Sequence, residues 1–178
     1  MAYELGVCDL DPPYRYSLIV RTDAPGRRAL LVIQCNPSRA SSSGSDPTVG
    51  KVAHWAEEHG FARVVYLNLF ALISSDPRAL QRKRYRTIVG PRNDEVLRGH
   101  LRMRQSTVVL AWGAGIPVSG QMYRRRLQDL RTLIDEAGRP VHHVGALSHG
   151  SHPRHGRMWN GDNRDLKVLA WSSIMPRP

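Results

Sequence analysis

Cysteine is scarce: Cys8 and Cys35 are the only two in 178 residues. That excludes a disulfide framework and a four-cysteine zinc or iron–sulfur site. No apolar run approaches 18 residues, so the sequence offers no membrane-spanning helix. The opening Met-Ala-Tyr-Glu-Leu lacks a basic n-region and an apolar h-region, so it does not read as a signal peptide, and the cytoplasm is the expected compartment. There is no G-x-G-x-x-G and no Walker lysine, which argues against dinucleotide and P-loop chemistry. A G-x-S-x-G nucleophile elbow is also missing. His149, His152 and His155 recur every three residues, but Pro153 prevents one helical face and no cysteine or carboxylate lies nearby in sequence. No metal and no cofactor is therefore expected. Lysine is nearly absent too: only Lys51, Lys83 and Lys167 stand among 26 basic residues, a skew that a GC-rich genome also produces.

What the chain does have is a globular composition and an uneven charge. Apolar residues make up 41% and mean hydropathy is −0.40, as in an ordinary folded domain. The length fits one domain over residues 1–178. The net charge is +11, with a pI near 10.6. Residues 1–77 carry 7 basic and 8 acidic groups, residues 78–131 carry 13 and 3, and residues 132–178 carry 6 and 4. The excess thus sits in the middle of the chain. It predicts a polyanionic partner, nucleic acid or a nucleotide, held by a basic rim around a mostly uncharged pocket.

Strand-like runs are 16–21, 29–35, 63–69, 107–111 and 141–146, several continuous and β-branched as in strands buried on both faces. Helix-like runs alternate with them. Val49, Val52, Ala53 and Ala56 share a face, as do Val96, Leu97 and Leu101, and again Leu127, Leu130, Leu133 and Ile134. A further helix is predicted over 162–174. Of Arg124, Arg125 and Arg126, two must face solvent. The alternation predicts an α/β domain with a parallel sheet covered on both faces, whose ligands bind beyond the carboxyl ends of the strands.

The residues at those ends carry the candidate chemistry. Asn36 can hold a water or a ligand's polar edge, or cap an Asn-Pro turn. Asn68 sits inside the apolar Val64–Phe70 run, where a carboxamide must be matched by a base edge or by a neighbouring loop. His152, Arg154 and His155 offer donors to a negatively charged oxygen, or form a solvated basic loop. Tyr85, within the Gln81–Arg86 run, can stack on a base or lie in a surface loop.

The ordered series N-P-S at 36–38, D-P-T at 46–48, V-V-Y-L-N-L-F-A-L-x-x-x-D-P at 64–77, G-P-x-N-D at 90–94, A-W-G-A at 111–114 and H-P-R-H at 152–155 resembles a bacterial family, domain-of-unknown-function family 1643. The likeness runs from Tyr14 to Trp159. More remotely, Asn36-Pro37, Tyr66-Leu67-Asn68, Leu110–Ala114 and His152-Pro153 are similar to the ordered motifs of the uracil-DNA glycosylase superfamily. That likeness implies a three-layer α/β/α fold with a short, mostly parallel central sheet. It implies an N-glycosidase-like hydrolase that cleaves the glycosidic bond of a base, 5-substituted or otherwise modified, in DNA.

Under this resemblance Asn36 positions the attacking water and His152 stabilises the leaving base, with Asp46 as the one candidate carboxylate. Asn68 pairs with the base, and Ser38, Phe70 and Trp112 complete its pocket. A small Ser38 leaves room for a 5-substituent. Arg82, Arg84, Arg86, Arg154 and His155 contact phosphate. His-Pro-Arg-His lacks a following leucine wedge, for which Met158-Trp159 is the substitute, unless the aromatic is a buried anchor. Two alternatives stay open: an N-glycosidase of free nucleosides or nucleotides, and a non-catalytic binder of a modified base or strand end.

Overall fold

The computed structural model describes residues 3–37, 47–74, 78–161 and 164–175. Its centre is strand β3, Ala29–Gln34, a run of five apolar residues and one glutamine that is buried throughout. Such a strand needs neighbours on both edges and cover on both faces. It pairs in parallel with β4 (Arg63–Asn68) on one side and β5 (Ser106–Leu110) on the other. Beyond β5 lies β6 (Val141–Val144), also parallel. Beyond β4 lie β2 (Tyr14–Arg21) and then β1 (Glu4–Asp11), both antiparallel to their neighbours. A seventh strand, β7 (Leu166–Val168), runs antiparallel along β6. The order is β1-β2-β4-β3-β5-β6-β7.

The period of two in each strand splits the core into two halves. Leu31, Ile33, Val65, Leu67, Val108 and Leu110 share one cluster with α4 (Asn93–Leu101) and α5 (Gly120–Glu136). The short helices α2 (Arg78–Gln81) and α3 (Tyr85–Val89) contribute Leu80, Ile88 and Val89 to the same side. Leu30, Val32, Val64, Tyr66 and Val109 meet α1 (Pro47–Glu58) in the other cluster. In α1 the predicted stripe Val49, Val52, Ala53 and Ala56 is buried, joined by Trp55. In α5 Ser119 caps the first turn by accepting from the Met122 N–H at 3.3 Å. Arg124 and Arg125 face solvent while Arg126 is fully buried, bonded to Asp94 and to the Leu69 carbonyl, each at 2.6 Å.

Three expectations about the fold need correction. The sheet is mixed rather than mostly parallel, because three of its six pairings are antiparallel. It is not short either, with seven strands. And the 162–174 stretch does not form a helix. Its described part gives β7 and a 3-10 turn at Trp171–Ser173. The physical reason is the edge of β6: without β7, its N–H and C=O groups on that side would have no ladder partner. Of the residues that a helix would turn inward, Leu169 is buried, Leu166 is half-buried and Ala170 is exposed, so the helical spacing does not hold. Among the described residues no helix is long and apolar enough to cross a membrane.

Candidate functional site

The chain leaves β3 through α1 to β4 on one side, then crosses back over to β5 on the other. The carboxyl ends of β3 and β5 therefore flank a topological switch point, where open α/β sheets form their ligand crevice. A cavity of about 490 Å3 opens there. Its walls are Gln34, Cys35 and Asn36 after β3, Trp112–Gly115 and Pro117 after β5, and Ser148 and His149 after β6. Arg15 of β2, Thr48 of α1, and His155, Arg157 and Met158 complete it.

Each wall is held by an identifiable contact. Asn36 uses its amide N–H groups on the carbonyls of Pro37 at 3.2 Å and Ser74 at 3.4 Å. Its side-chain oxygen is then the group left to act toward the cavity, as an acceptor. Trp112 is buried and donates its indole N–H to the Tyr123 hydroxyl at 2.9 Å. Burial pushes that hydroxyl up to about 12, so it remains protonated at neutral pH. Burial likewise pushes the Cys35 thiol to about 12, which removes it as a nucleophile.

The wall opposite is the turn Gly156–Met158. A β-carbon at Gly156 would lie 2.5 Å from a Val52 methyl, so only glycine lets this turn close on α1. Lys51 reinforces the contact by donating to the Arg157 carbonyl at 3.1 Å. The His155 Nδ1 accepts from the Arg157 N–H at 3.2 Å, so the neutral ring carries its proton on Nε2. Trp159 anchors the turn from behind, buried edge-on against Trp55 and donating to the Arg154 carbonyl at 3.1 Å. Met158 stays 45% exposed at the cavity. The Met158-Trp159 pair thus divides into an exposed side chain and a buried anchor. His149 holds a positive φ of 48°, an uncommon backbone for a non-glycine residue and one that clusters at ligand sites.

Of the sequence candidates, the cavity brings together Asn36, Trp112 and His155. Arg154 is half-buried in the same loop. Ser38 and Asp46 lie outside the described residues. His152 does not join them. It lines a separate cavity of about 690 Å3 with Tyr123, Arg124 and the Ser172–Met175 tail. The reason is Pro153, whose carbonyl accepts from the Gly113 N–H at 2.8 Å at the tip of β5. His152 falls on the α5 side, 6.1 Å from the Tyr123 ring, while His155 and Gly156 fall on the α1 side. Burial, and then His149, push the His152 pKa below the ordinary imidazole range.

Asn68 and Phe70 also stand apart. Asn68 is buried and donates to the Arg15 carbonyl at 3.3 Å, and Asn93 donates to the carbonyls of Asn68 and Leu69 at 3.1 Å. The Asn68 donor thus ties β4 to β2, while its buried side-chain oxygen makes no hydrogen bond among the described residues, and Asn93 ties α4 to the same strand end. Phe70 lies in the core on the α5 side. Arg82, Arg84 and Arg86 are exposed, and Arg86 borders a third cavity with Tyr85, Arg125 and Asp129. Tyr85 is half-buried there, its hydroxyl bonded to Asp129 and its ring covered by the Arg125 guanidinium at 4.3 Å.

Sequence reasoning missed Gln34, Arg15, His149 and Arg157. Gln34 had a signal, as the one polar residue of an otherwise apolar strand. Arg15 had none: it precedes the predicted strand 16–21, and only the fold places it in β2 at 4% exposure. They change the character of the pocket. It was expected to be mostly uncharged, yet Arg15 and Arg157 line it, and no carboxylate does among the described residues. Among the described residues no group of three or more His, Cys, Asp or Glu is placed to hold a metal ion.

No curated protein and no solved structure matches the chain. A family model does, over residues 15–156, which span the central strands, the helices on both faces and the cavity wall as far as Gly156. The chain belongs to that family, DUF1643, described as proteins of unknown function.

Proposed function

We propose that this protein is a nucleic-acid-base-processing hydrolase, N-glycosidase-like, that takes one nucleotide unit of DNA into the switch-point cavity and releases its base. The observation that carries this reading is that Asn36, His155, Arg15 and Arg157 line one cavity at the carboxyl ends of β3 and β5 that is free of described carboxylates. Glycosidic cleavage places positive charge on the sugar and negative charge on the base. Donors aimed at the base therefore lower the barrier. Asn36 Oδ1 orients a water toward the sugar carbon. The carbon–nitrogen bond breaks with its electron pair on the base, the water oxygen bonds the carbon, and the water's proton ends on the departing base. His155 and Arg157 stabilise that base while it is anionic. In this reading His155 takes the role that the remote glycosylase likeness assigned to His152. Helices on both faces of a sheet with four parallel strands are in keeping with that likeness. The exposed Arg82, Arg84 and Arg86 hold phosphates away from the pocket.

The test is release of free base from oligonucleotides carrying 5-substituted and deaminated bases, with the corresponding nucleoside monophosphates run in parallel. Asn36→Ala and His155→Ala each lower release by about a hundredfold or more, and His152→Ala leaves it nearly unchanged. Release from the monophosphates alone shifts the substrate to free nucleotides. The absence of any described carboxylate in the cavity favours one second reading, a non-catalytic base binder. Tight binding with no base released on long incubation decides for it.

A further inference from the structure

The cavity contains a polar group that the fold leaves unmatched. Gln34 closes β3, is only 9% exposed, and lines the cavity. Its amide nitrogen is shielded from solvent and makes no hydrogen bond among the described residues. The side chain lies against the Gly156 turn, where a β-carbon would come within 3.7 Å of that nitrogen. A methionine would fill the same space without stranding a donor, so the glutamine costs the free protein stability.

The two ends of the amide are not equivalent in this position. A half-turn about the soft terminal torsion brings the N–H groups into the cavity and sets the oxygen against the Gly156 backbone. An unpaired carbonyl oxygen, with a weak Cα–H contact to the Gly156 backbone, is tolerated there somewhat better than an unpaired N–H. A ligand oxygen in the cavity therefore resolves the mismatch. A ligand amino group does not, because it must meet the glutamine oxygen and leaves the N–H stranded. The cationic side chains of Arg15 and Arg157, which line the same cavity, favour acceptors in the same direction.

We infer that Gln34 is the specificity-determining residue of this site, donating an amide N–H to the base carbonyl that an amino group replaces in the counterpart (O4 of uracil, O6 of hypoxanthine), so that these oxo bases are taken and cytosine and adenine refused. The inference rests on the base-binding part of the proposed function and not on hydrolysis. Its test is equilibrium binding of short single-stranded oligonucleotides with one central uracil against cytosine, and one hypoxanthine against adenine. The four nucleoside monophosphates serve as free probes. The wild type prefers the oxo member of each pair by about tenfold or more. Gln34→Met removes the preference while its unfolding temperature stays equal or rises, and Gln34→Glu reverses it. Equal wild-type binding of both members, or a preference that survives in Gln34→Met, overturns the inference. Intact preference without base release overturns only hydrolysis, base release without preference overturns only the inference, and binding of none of the probes overturns both.

Discussion

The backbone N–H of Gly113 donates to the carbonyl of Pro153 at 2.8 Å, between two histidines that line different cavities, His152 on one side of it and His155 on the other in sequence. The glycine is required twice over. Its φ is +76°, and a β-carbon on it would lie 3.1 Å from the His155 β-carbon. Gly113→Ala is expected to cost about 1–3 kcal/mol by denaturant unfolding. It also displaces His155, so base release falls as far as in His155→Ala. Gly60→Ala is the control. Its φ is +72° with only an arginine tip nearby, so it costs similar stability and leaves release intact.

The contact between the Gly156 turn and α1 is testable by rescue. Gly156→Ala drives a methyl into Val52 and is expected to destabilise by about 1–3 kcal/mol through overpacking. Adding Val52→Ala removes the obstructing methyl. The double variant then regains the turn geometry and the ligand affinity that the single variant loses. Full additivity of the two losses would show that the two residues do not couple.

Acid should weaken the fold through three histidines, His143 buried and His100 and His152 half-buried. His100, His143 and His152 all have pKa values pushed below the ordinary imidazole range, with burial the main cause in each. An unfolded imidazole takes up its proton near pH 6.5, whereas these take it only at lower pH when folded. The unfolded state therefore binds more protons first, and stability falls as pH drops below about 6.5. His143→Gln should flatten that fall. A stability curve level from pH 7 to 5 would contradict the assignment of these rings as neutral.

The exposed arginines make a prediction about salt. Replacing Arg82, Arg84 and Arg86 by glutamine is expected to weaken oligonucleotide binding and to lower the slope of log K against log salt by roughly 2–3. Base preference should not move, because phosphate contacts position the strand without reading it. A changed preference would place these arginines in the pocket rather than on its rim.

Much of the scaffold was readable from the chain, and the exceptions share a cause. The apolar run of β3 and the stripes of α1 and α5 announce themselves because burial on a fixed face imposes a period. Strand β1 does not, since seven of its eight residues are exposed and neither face imposes a pattern. Leu166–Val168 is a strand only because β6 offers an edge, and no local signal carries that fact. Asn36 and Trp112 were legible in the site because strand ends at a switch point are predictable places. Asn68 met the same criterion, yet its amide is used to bind β2.

The sequence by itself determined the alternating strands and helices, the buried stripes and the loops that carry chemistry, because each depends on neighbours a few residues apart. Only the tertiary structure decided which of those loops meet. Gly113 and Pro153 are forty positions apart in sequence, and Gly156 and Val52 more than a hundred. Their contacts place His155 in the cavity, exclude His152, and set beside it the Gln34 amide nitrogen, which has no hydrogen-bond partner among the described residues.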